Sequence, residues 1–363
     1  MINAAITGWG KCLPPAVLSN QDLATLVDTS DDWIVSRTGI HERRVSHTTL
    51  ANLSYVASAR ALAAAGLEGS AIDLIVFGTC SHEDQVPNMA SGVQVRIGAA
   101  SAAAMDINTA CTSFLYGLST ATALIRTGVV RNALVIGAEL ISPFMDWTDR
   151  DVAVLFGDGA AAVVLEATTR EEGLLAEQLG CYADARETLR VHGMGGRYAN
   201  RGILYGAVRW QFEGQEIFKR AVHGMGAASE SALGKLGLKA ADVNLVIPHQ
   251  ANLRIIEAVA KRTRVPIDRV YINIQRYGNM SAATVPVALC EALEAGRIQP
   301  GALLLMPGFG GGLTYCAHVV RWGERTSPRG ESKVDLPPNE RSALQIVRDV
   351  MEAKKVLTNQ EPS

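Results

Sequence analysis

Short apolar runs alternate along the chain with alanine-rich stretches of helical periodicity, a pattern typical of α/β proteins. The apolar run from Ala102 to Ile107 predicts a buried strand. A sharp turn follows at residues 108–110, and residues 112–127 have the pattern of a helix. Cys111 is therefore expected at the junction between a strand and the start of a helix.

The same plan is found twice in the chain. Gly128 follows Cys111 by 17 residues, and Gly296 follows Asn279 by 17 residues. Asn279 therefore lies 168 positions after Cys111, and Gly296 lies 168 positions after Gly128. In each copy the helix lies between two predicted strands, at residues 73–78 and 133–139 in the first and 244–248 and 302–307 in the second. We predict two duplicated βαβαβ halves, residues 1–172 and 173–323, with a boundary near residues 166–176. Residues 324–363 are predicted to form a linker and a short amphipathic helix, which would dock on the body or on a partner.

Composition excludes several classes of protein. The chain has 363 residues, of which 48% are hydrophobic and 19% charged, with a net charge of −2. That is enough apolar material for a large core, and the charge gives no reason to expect a nucleic-acid partner. No apolar run approaches the roughly 20 residues of a membrane span, and the N-terminus lacks an export pattern. Six cysteines without CxxC spacing favour reduced thiols in the cytoplasm and no metal site.

Cys111 is the strongest candidate for a nucleophile. Unpaired N–H groups and the dipole at a helix start favour an anion, so a lowered thiol pKa is expected there. If the halves pack around a pseudo-twofold axis, the two equivalent helix starts meet, and Cys111 and Asn279 face one cavity. His249 follows a predicted strand, at the edge of the sheet where ligands bind in α/β proteins. The alternatives are a core-filling cysteine, a satisfied histidine at a strand end and an asparagine helix cap.

Four motifs occur in an informative order: Thr109-Ala-Cys111, Pro248-His-Gln-Ala-Asn-Leu-Arg254, Tyr277-Gly-Asn-Met-Ser-Ala-Ala283 and Phe309-Gly-Gly-Gly312. Together they resemble the β-ketoacyl-acyl-carrier-protein synthase III family, which has the thiolase-like fold. The resemblance runs from about residue 3 to residue 323 and includes Arg37-Thr-Gly-Ile40 and Phe156-Gly-Asp-Gly159. It implies an α/β protein with its duplicated halves in a layered α-β-α-β-α arrangement.

The resemblance also implies a reaction. Family members transfer an acyl group from coenzyme A to the cysteine that corresponds to Cys111. Malonyl on acyl carrier protein then loses carbon dioxide, and its carbanion attacks the acyl-enzyme to give a β-ketoacyl product for fatty acid or related biosynthesis. By similarity, the N–H groups of Cys111 and Gly311 form the oxyanion hole, while His249 and Asn279 donate hydrogen bonds to the enolate. Acyl-CoA is a substrate here, and no permanently bound cofactor is expected.

Further roles are implied for residues that would hold coenzyme A. Trp33 and Arg150 resemble the pair that sandwiches adenine, and Arg37 resembles a phosphate contact. Asn252 and Gly214 match positions that line the pantetheine tunnel. The alternative for Trp33 and Arg37 is surface anchoring of a short helix.

The acyl pocket and the protein partners are predicted in the same way. Phe309 is expected beside the thiol, where it would exclude water. The loop 81–87 reaches across a homodimer interface in the family, which places Val86 at the partner's acyl pocket. The polar residues 82–84 of this loop either face water or supply an acid/base group. Acyl carrier protein is acidic, so Arg254, Lys219 and Arg220 are candidate contacts, with solvated surface charges as the alternative.

Other functions compete with this one. A relative with the same centre could condense two acyl-CoAs or transfer the acyl group to another nucleophile. A non-catalytic acyl-binding partner of another synthase is a second alternative. A degradative thiolase is disfavoured. Thiolases have the motif Cys-X-Gly-Gly where this chain has Gly308-Phe-Gly-Gly, so the second acid/base cysteine is missing. The sequence leaves open the primer chain length, the acceptor and the role of the tail.

Overall fold

The fold is described from a computed structural model that covers residues 2–198, 206 and 208–358. In chain order, the first part contains β1 (Asn3–Cys12), β2 (Val17–Ser19), α1 (Asn20–Leu23), α2 (Asp31–Thr38), β3 (Glu42–Arg44), α3 (Leu50–Ala65), β4 (Leu74–Gly78), α4 (Met89–Ile97), β5 (Ala103–Ile107), α5 (Ser113–Arg126), β6 (Asn132–Glu139), α6 (Arg150–Ala153) and β7 (Gly159–Thr168). The second part contains β8 (Gly173–Cys181), β9 (Leu189–His192), β10 (Arg209–Phe212), α7 (Gly214–Gly234), β11 (Leu245–Val246), α8 (Leu253–Thr263), α9 (Ile274–Tyr277), α10 (Thr284–Glu294), β12 (Leu303–Gly310), β13 (Thr314–Arg321) and α11 (Ala343–Thr358).

Two mixed sheets share one strand order. The first runs β1-β7-β6-β4-β5 and the second runs β8-β13-β12-β11. The pairs β4–β6 and β11–β12 are parallel, and β4–β5 is parallel as well, whereas β6–β7–β1 in the first sheet and β12–β13–β8 in the second are antiparallel. An isolated parallel bridge from Val246 to Val270 stands where the first sheet has β5. The duplication predicted from the sequence is therefore confirmed.

Helices cover and separate the sheets in layers. In β4, Val76 points into the cluster between the sheets, which includes α5 and α10, while Phe77 packs toward α3 and α4. In β12, Leu304 belongs to the same central cluster, while Leu305 faces the side covered by α7 and α8. Strands buried on both faces read as continuous apolar runs, which explains the sequence pattern. The implied α-β-α-β-α order is present.

The two copies differ where α5 and α10 begin. Their last residues are 168 positions apart, as the repeat predicted, but their first residues, Ser113 and Thr284, are 171 apart. A 3₁₀ turn precedes each helix, and its first residue has a positive φ, 51° at Ala110 and 46° at Ser281. The structural counterpart of Ala110 is thus Ser281, and the longer connection of the second copy carries Asn279. The two turns pack against each other, which confirms that the helix starts meet.

The strand expected at residues 102–107 is present as β5, but the expectation that it is buried was wrong. β5 is the edge strand of the first sheet, and its residues are exposed or half-buried. Among the described residues only β4 pairs with it. An apolar run alone does not distinguish an edge strand from a central one, because both carry the same side chains.

The C-terminal tail is an ordered strap that docks on the body. Residues 324–342 extend over α3, where the Arg329 N–H donates to Ala64 O at 3.0 Å and His47 Nε2 lies 2.8 Å from Pro337 O. Helix α11 then buries Ile346 and Val347 in a cluster with Trp147. The predicted amphipathic helix is confirmed. In the described part of the chain, no helix is long and apolar enough to cross a membrane.

Candidate active site

A cavity of about 790 Å³ opens beside the 3₁₀ turn at residues 110–112, which precedes α5. Its walls come from the loop 80–85, the turn at residues 108–111, the segment 186–195 and the glycines that follow β12. Cys111 and Ser281 both line it. The two halves of the molecule thus contribute to one site.

Backbone N–H groups converge on the Cys111 sulfur. Both the N–H of Cys111 and the N–H of Gly311 hydrogen-bond the sulfur, and both lower its pKa. The approach depends on Gly310, since a Cβ there would lie 2.8 Å from the Cys111 nitrogen. The positive φ of Ala110 is the kind of local strain that concentrates at functional sites.

The expectation of an acidic thiol at Cys111 was wrong. Burial raises the pKa of Cys111 to about 11, and this effect outweighs that of the nearby Ser281 hydroxyl, which lowers it. The charge of Glu139 raises the pKa further. The sulfur sits deep behind a 3₁₀ turn, where the cost of desolvating a thiolate exceeds the benefit of the helix start. The resting thiol is therefore protonated at neutral pH.

His249 is held as a neutral imidazole. Hydrogen bonds from Ile247 N to Leu305 O at 2.8 Å and from His249 N to Pro307 O at 2.9 Å extend the β11–β12 ladder to this residue. The side chain is 2% exposed, and its Nδ1 lies 2.6 Å from the Thr284 hydroxyl oxygen. Burial lowers the pKa of His249 to about 3. Its Nε2 is the nitrogen left without a protein partner among the described contacts.

Asn279 is fixed by backbone and side-chain contacts. Its N–H donates to Leu155 O at 2.8 Å, and its side-chain oxygen accepts from the Ser281 N–H at 2.8 Å. It does not cap α10, which begins at Thr284. Because the oxygen is engaged, the amide nitrogen is the group left for a ligand.

Ser281 connects these residues, and sequence reasoning missed it. Its hydroxyl lowers the pKa of Cys111, beside which it lines the cavity, its N–H holds Asn279, and its carbonyl accepts from Thr284 at 3.0 Å. Thr284 in turn contacts His249. The expectation that Asn279 faces the same cavity as Cys111 was wrong, because neither Asn279 nor His249 lines it and both side chains are buried. Ser281 belongs to the motif at residues 277–283, but only the fold shows which residues it contacts.

Glu139 and Cys80 were also missed. Glu139 ends β6 and is fully buried, and Cys80 lines the cavity with its thiol 3.3 Å from a Glu139 carboxylate oxygen. Glu139 could have been noticed in the sequence, because it is a charged residue at the end of an otherwise apolar strand. Burial raises the pKa of both side chains.

The residues predicted to hold coenzyme A form two groups. The guanidinium carbons of Arg37 and Arg150 lie 4.4 and 4.6 Å from the centroid of the Trp33 ring. Asn252 caps α8 through its side-chain oxygen and donates its amide to Arg37 O at 3.0 Å, so its polar atoms already have protein partners. Gly214 is exposed at the first residue of α7.

Phe309 differs from expectation, whereas the placement of Val86 at a partner's pocket stays a prediction. Phe309 packs in a cluster with Ile217 and Val259 from the covering helices, and it is not part of the cavity wall. Its side chain faces away because β12 alternates, and the opposite face holds the turn of Cys111. Val86 is 82% exposed and bounds no cavity in its own chain.

The polar loop before Val86 does not simply face water. His82, Glu83, Asp84 and Gln85 line the cavity. His82 Nε2 is 3.5 Å from Asp106 Oδ2, and Glu83 Oε1 accepts from the Ala51 N–H at 2.7 Å. Part of the stretch 182–206 also lines the cavity, at residues 186–195, while residues 199–205 lie outside the described part of the chain.

The three candidate basic contacts are not equivalent. Arg220 pairs with Glu216 and Asp184, both at 2.8 Å, and lies over the Tyr182 ring. Lys219 and Arg254 are exposed, and neither forms a salt bridge within the described residues. Among the residues that the structure describes, no group of three or more His, Cys, Asp or Glu side chains could hold a metal ion.

Comparison with known proteins identifies relatives along the chain. The profile of 3-oxoacyl-[acyl-carrier-protein (ACP)] synthase III matches residues 105–183, and that of its C-terminal domain matches residues 233–322. The chain is 52% identical to β-ketoacyl-[acyl-carrier-protein] synthase III 2 of Vibrio cholerae over 349 residues, which is 96% of each chain. It is 48% identical to the synthase III of Roseiflexus castenholzii over 88% of this chain and 98% of that one. The crystal structure of 3-oxoacyl-[acyl-carrier-protein] synthase III from Aquifex aeolicus superposes with a TM-score of 0.82 at 41% identity, covering 88% and 100% of the two chains.

Proposed function

Since the chain belongs to the β-ketoacyl-[acyl-carrier-protein] synthase III family, we propose that it is an acyltransferase that condenses an acyl-CoA primer with malonyl-acyl carrier protein. The product is a β-ketoacyl-acyl carrier protein for fatty acid or related biosynthesis. Cys111 carries the acyl group between the two substrates. The chemistry uses a thiol and hydrogen-bond donors of the protein, so it requires no bound cofactor.

In the first half-reaction, the Cys111 sulfur attacks the thioester carbon of acyl-CoA. The carbonyl oxygen becomes an oxyanion, and the N–H groups of Cys111 and Gly311 already point to this region. Removal of one such donor typically raises a barrier by about 3–4 kcal/mol. Coenzyme A then leaves as the thiol.

In the second half-reaction, malonyl loses carbon dioxide, and negative charge develops on its thioester oxygen. The amide nitrogen of Asn279 and Nε2 of His249 donate hydrogen bonds to that oxygen. For His249 this requires the proton on Nε2, so that Nδ1 accepts from the Thr284 hydroxyl across their 2.6 Å contact. The hydroxyl then has to turn away from the Ser281 carbonyl oxygen, to which it donates at 3.0 Å in the structure. A dry site strengthens both bonds, since little water competes.

The nucleotide end of coenzyme A binds at Trp33. An adenine ring stacks between the indole and the Arg150 guanidinium, which requires Arg150 to move away from its 4.6 Å contact with the ring. Arg37 meets a phosphate, and Gly214, Asn252 and the pantetheine arm lie between this end and Cys111.

Acyl carrier protein docks near the Trp33 entrance. Lys219 and Arg254 are the basic side chains that support this proposal, because they are exposed and form no salt bridge among the described residues. Arg220 contributes less, since two carboxylates already neutralise its charge.

The protein acts as a cytoplasmic homodimer in this proposal. The outer edge of β5 is available for pairing with a second copy, and a sheet edge left open in this way is prone to association. The exposed Val86 would then enter the partner's acyl pocket. Six free cysteines fit a reducing compartment.

One observation supports the proposal: Ser281 lies in the same cavity wall as Cys111, holds Asn279 through its N–H and is connected to His249 through Thr284. Intact-mass spectrometry after incubation with a panel of acyl-CoAs tests it. We expect one acyl adduct on wild type and on the matched thiol variant Cys181→Ser, and none on Cys111→Ala. The acylated enzyme should convert malonyl-acyl carrier protein to a β-ketoacyl product. Product from two acyl-CoAs alone would favour the alternative condensation, and no adduct with any chain length would favour a non-catalytic partner.

A further inference from the structure

We propose that Glu139 accepts the proton of the Cys111 thiol through the Ser281 hydroxyl during acylation, and returns it to the departing coenzyme A sulfur. This proposal rests on the proposed function, because it concerns the first half-reaction at Cys111. Glu139 would be a positioning and relay residue, since it acts through Ser281 and does not touch the substrate.

Glu139 is a buried carboxylate with only neutral partners. Its Oε1 accepts from the Ser281 hydroxyl at 2.9 Å and from the Cys80 thiol at 3.3 Å. Its Oε2 accepts from the hydroxyls of Thr79 at 3.0 Å and Ser81 at 2.6 Å. Glu139 forms none of the salt bridges of the described residues. A carboxylate buried without a cation is costly, which points to a role in the chemistry rather than in stability.

Ser281 bridges the carboxylate and the nucleophile. Its hydroxyl donates to Glu139 Oε1 at 2.9 Å, which leaves the hydroxyl oxygen free to accept a proton. Ser281 lines the same cavity wall as Cys111 and affects the pKa of that thiol, and the Cys80 sulfur lies 3.7 Å from the same hydroxyl oxygen. Its φ of 46° places a non-glycine residue in the left-handed region, immediately before α10 and in contact with the turn of Cys111. Strain of this kind persists where the surrounding structure fixes a functional geometry.

The thiol needs such a relay because it is protonated at rest. The pKa of Cys111 is raised to about 11 by burial, and His249 is a weak base because burial lowers its pKa to about 3. Burial raises the pKa of Glu139, which makes it a better acceptor than an exposed carboxylate. The titratable groups that face Glu139 in the described structure are Cys80 and Cys111, and neither is an anion at neutral pH.

The proposed step balances without a further reactant. As the Cys111 sulfur forms its bond to the acyl carbon, its proton moves to Ser281 Oγ, and the Ser281 proton moves to Glu139 Oε1. The bond from the acyl carbon to the coenzyme A sulfur then breaks. The proton returns along the same path to that sulfur, which leaves as a thiol, and the enzyme keeps the acyl thioester.

Single-turnover acylation across about pH 6–10 tests the relay, with rapid quenching and mass detection of the Cys111 adduct. For Glu139→Gln we expect the rate at neutral pH to fall by about 10²–10⁴-fold, the usual contribution of a positioned base. The remaining rate should rise about tenfold per pH unit, because hydroxide must now remove the proton. Ser281→Ala should behave alike, and Glu139→Asp should recover part of the rate.

Thr79→Val is the matched control, since it removes a buried hydroxyl from the other oxygen of the same carboxylate. It should keep the wild-type pH profile. Equal rates for Glu139→Gln and wild type at every pH would overturn the proposal. A uniform loss with an unchanged pH profile would also overturn it, since that indicates structural damage only. If wild type itself forms no adduct, the proposed function fails, and this outcome is distinct from both.

Discussion

The side-chain oxygen of Asn279 accepts a hydrogen bond from the Ser281 N–H at 2.8 Å, and this contact decides which way the carboxamide faces. The oxygen is held by the backbone, so the nitrogen is left to donate. A donor at this position can stabilise an enolate oxygen, whereas an acceptor would repel it. The contact therefore supports the proposed role of Asn279 as a hydrogen-bond donor to the enolate.

Asn279→Asp should separate the two half-reactions. The substitution replaces the amide nitrogen by a carboxylate oxygen, so carbon dioxide release from malonyl-acyl carrier protein should fall by about 10²–10³-fold. Acylation of Cys111 should stay much closer to wild type. Carbon dioxide release and the mass of the acyl-enzyme measure the two steps separately, with Asn339→Asp, at a partly buried position in the tail, as control. Equal loss of both steps would contradict the assignment of Asn279 to the enolate.

The pH dependence of decarboxylation follows from His249. Burial lowers its pKa from 6.5 to about 3, so the imidazole stays neutral when the pH falls through 6.5. Decarboxylation by enzyme already acylated at Cys111 should therefore be flat between about pH 5 and pH 8, without an inflection at the ordinary histidine pKa. Pre-acylation removes the ionisation of Cys111 from the measurement. A tenfold change in rate per pH unit below pH 6.5 would mean that His249 titrates there, contrary to the structure.

Substitution of Arg150 should weaken the binding of acyl-CoA and leave the binding of acyl-pantetheine unchanged. Its guanidinium lies 4.6 Å from the Trp33 ring centroid, and in the proposed complex it moves outward to cover a stacked adenine. A cation–π contact contributes about 0.5–2 kcal/mol, so Arg150→Ala should raise KM for acyl-CoA by about 2–30-fold. KM for the matching acyl-pantetheine should not change. Arg131→Ala, at another exposed arginine, is the control, and an equal effect on both substrates would place Arg150 outside the nucleotide site.

The sequence pattern and its internal repeat were enough to predict the duplicated fold, the strand-to-helix position of Cys111 and the strand end that carries His249. It could not supply partners that are distant in the chain. The bond from Ser281 to Glu139 joins residues 142 positions apart, and Arg220 pairs with Asp184, 36 positions before it. The same applies to the Cys111 pKa, since a helix start is a local feature and burial is not. Phe309 shows the limit of motif transfer, because strand alternation turns it away from the cavity wall.

The tail should stabilise the body without taking part in catalysis. Ile346 is buried beside Trp147 in a cluster formed with the body of the protein, and residues 324–342 hold α11 to it across α3. Loss of a buried isoleucine side chain to alanine costs about 2–5 kcal/mol, so Ile346→Ala should lower the free energy of unfolding by that amount. Arg348→Ala, on the exposed face of the same helix, should leave it nearly unchanged.

Deletion of residues 324–363 should lower stability by at least as much as Ile346→Ala, because it also uncovers Trp147 and the surface of α3. Urea unfolding followed by tryptophan fluorescence measures both changes. At temperatures where the truncated protein is folded, its Cys111 should accept an acyl group at the wild-type rate, because no described tail residue lines the cavity. Slower acylation at unchanged stability would instead connect the strap to the active site, and the contact from Lys354 Nζ to Met145 O, 2.7 Å long and five residues from Arg150, would be the path to examine.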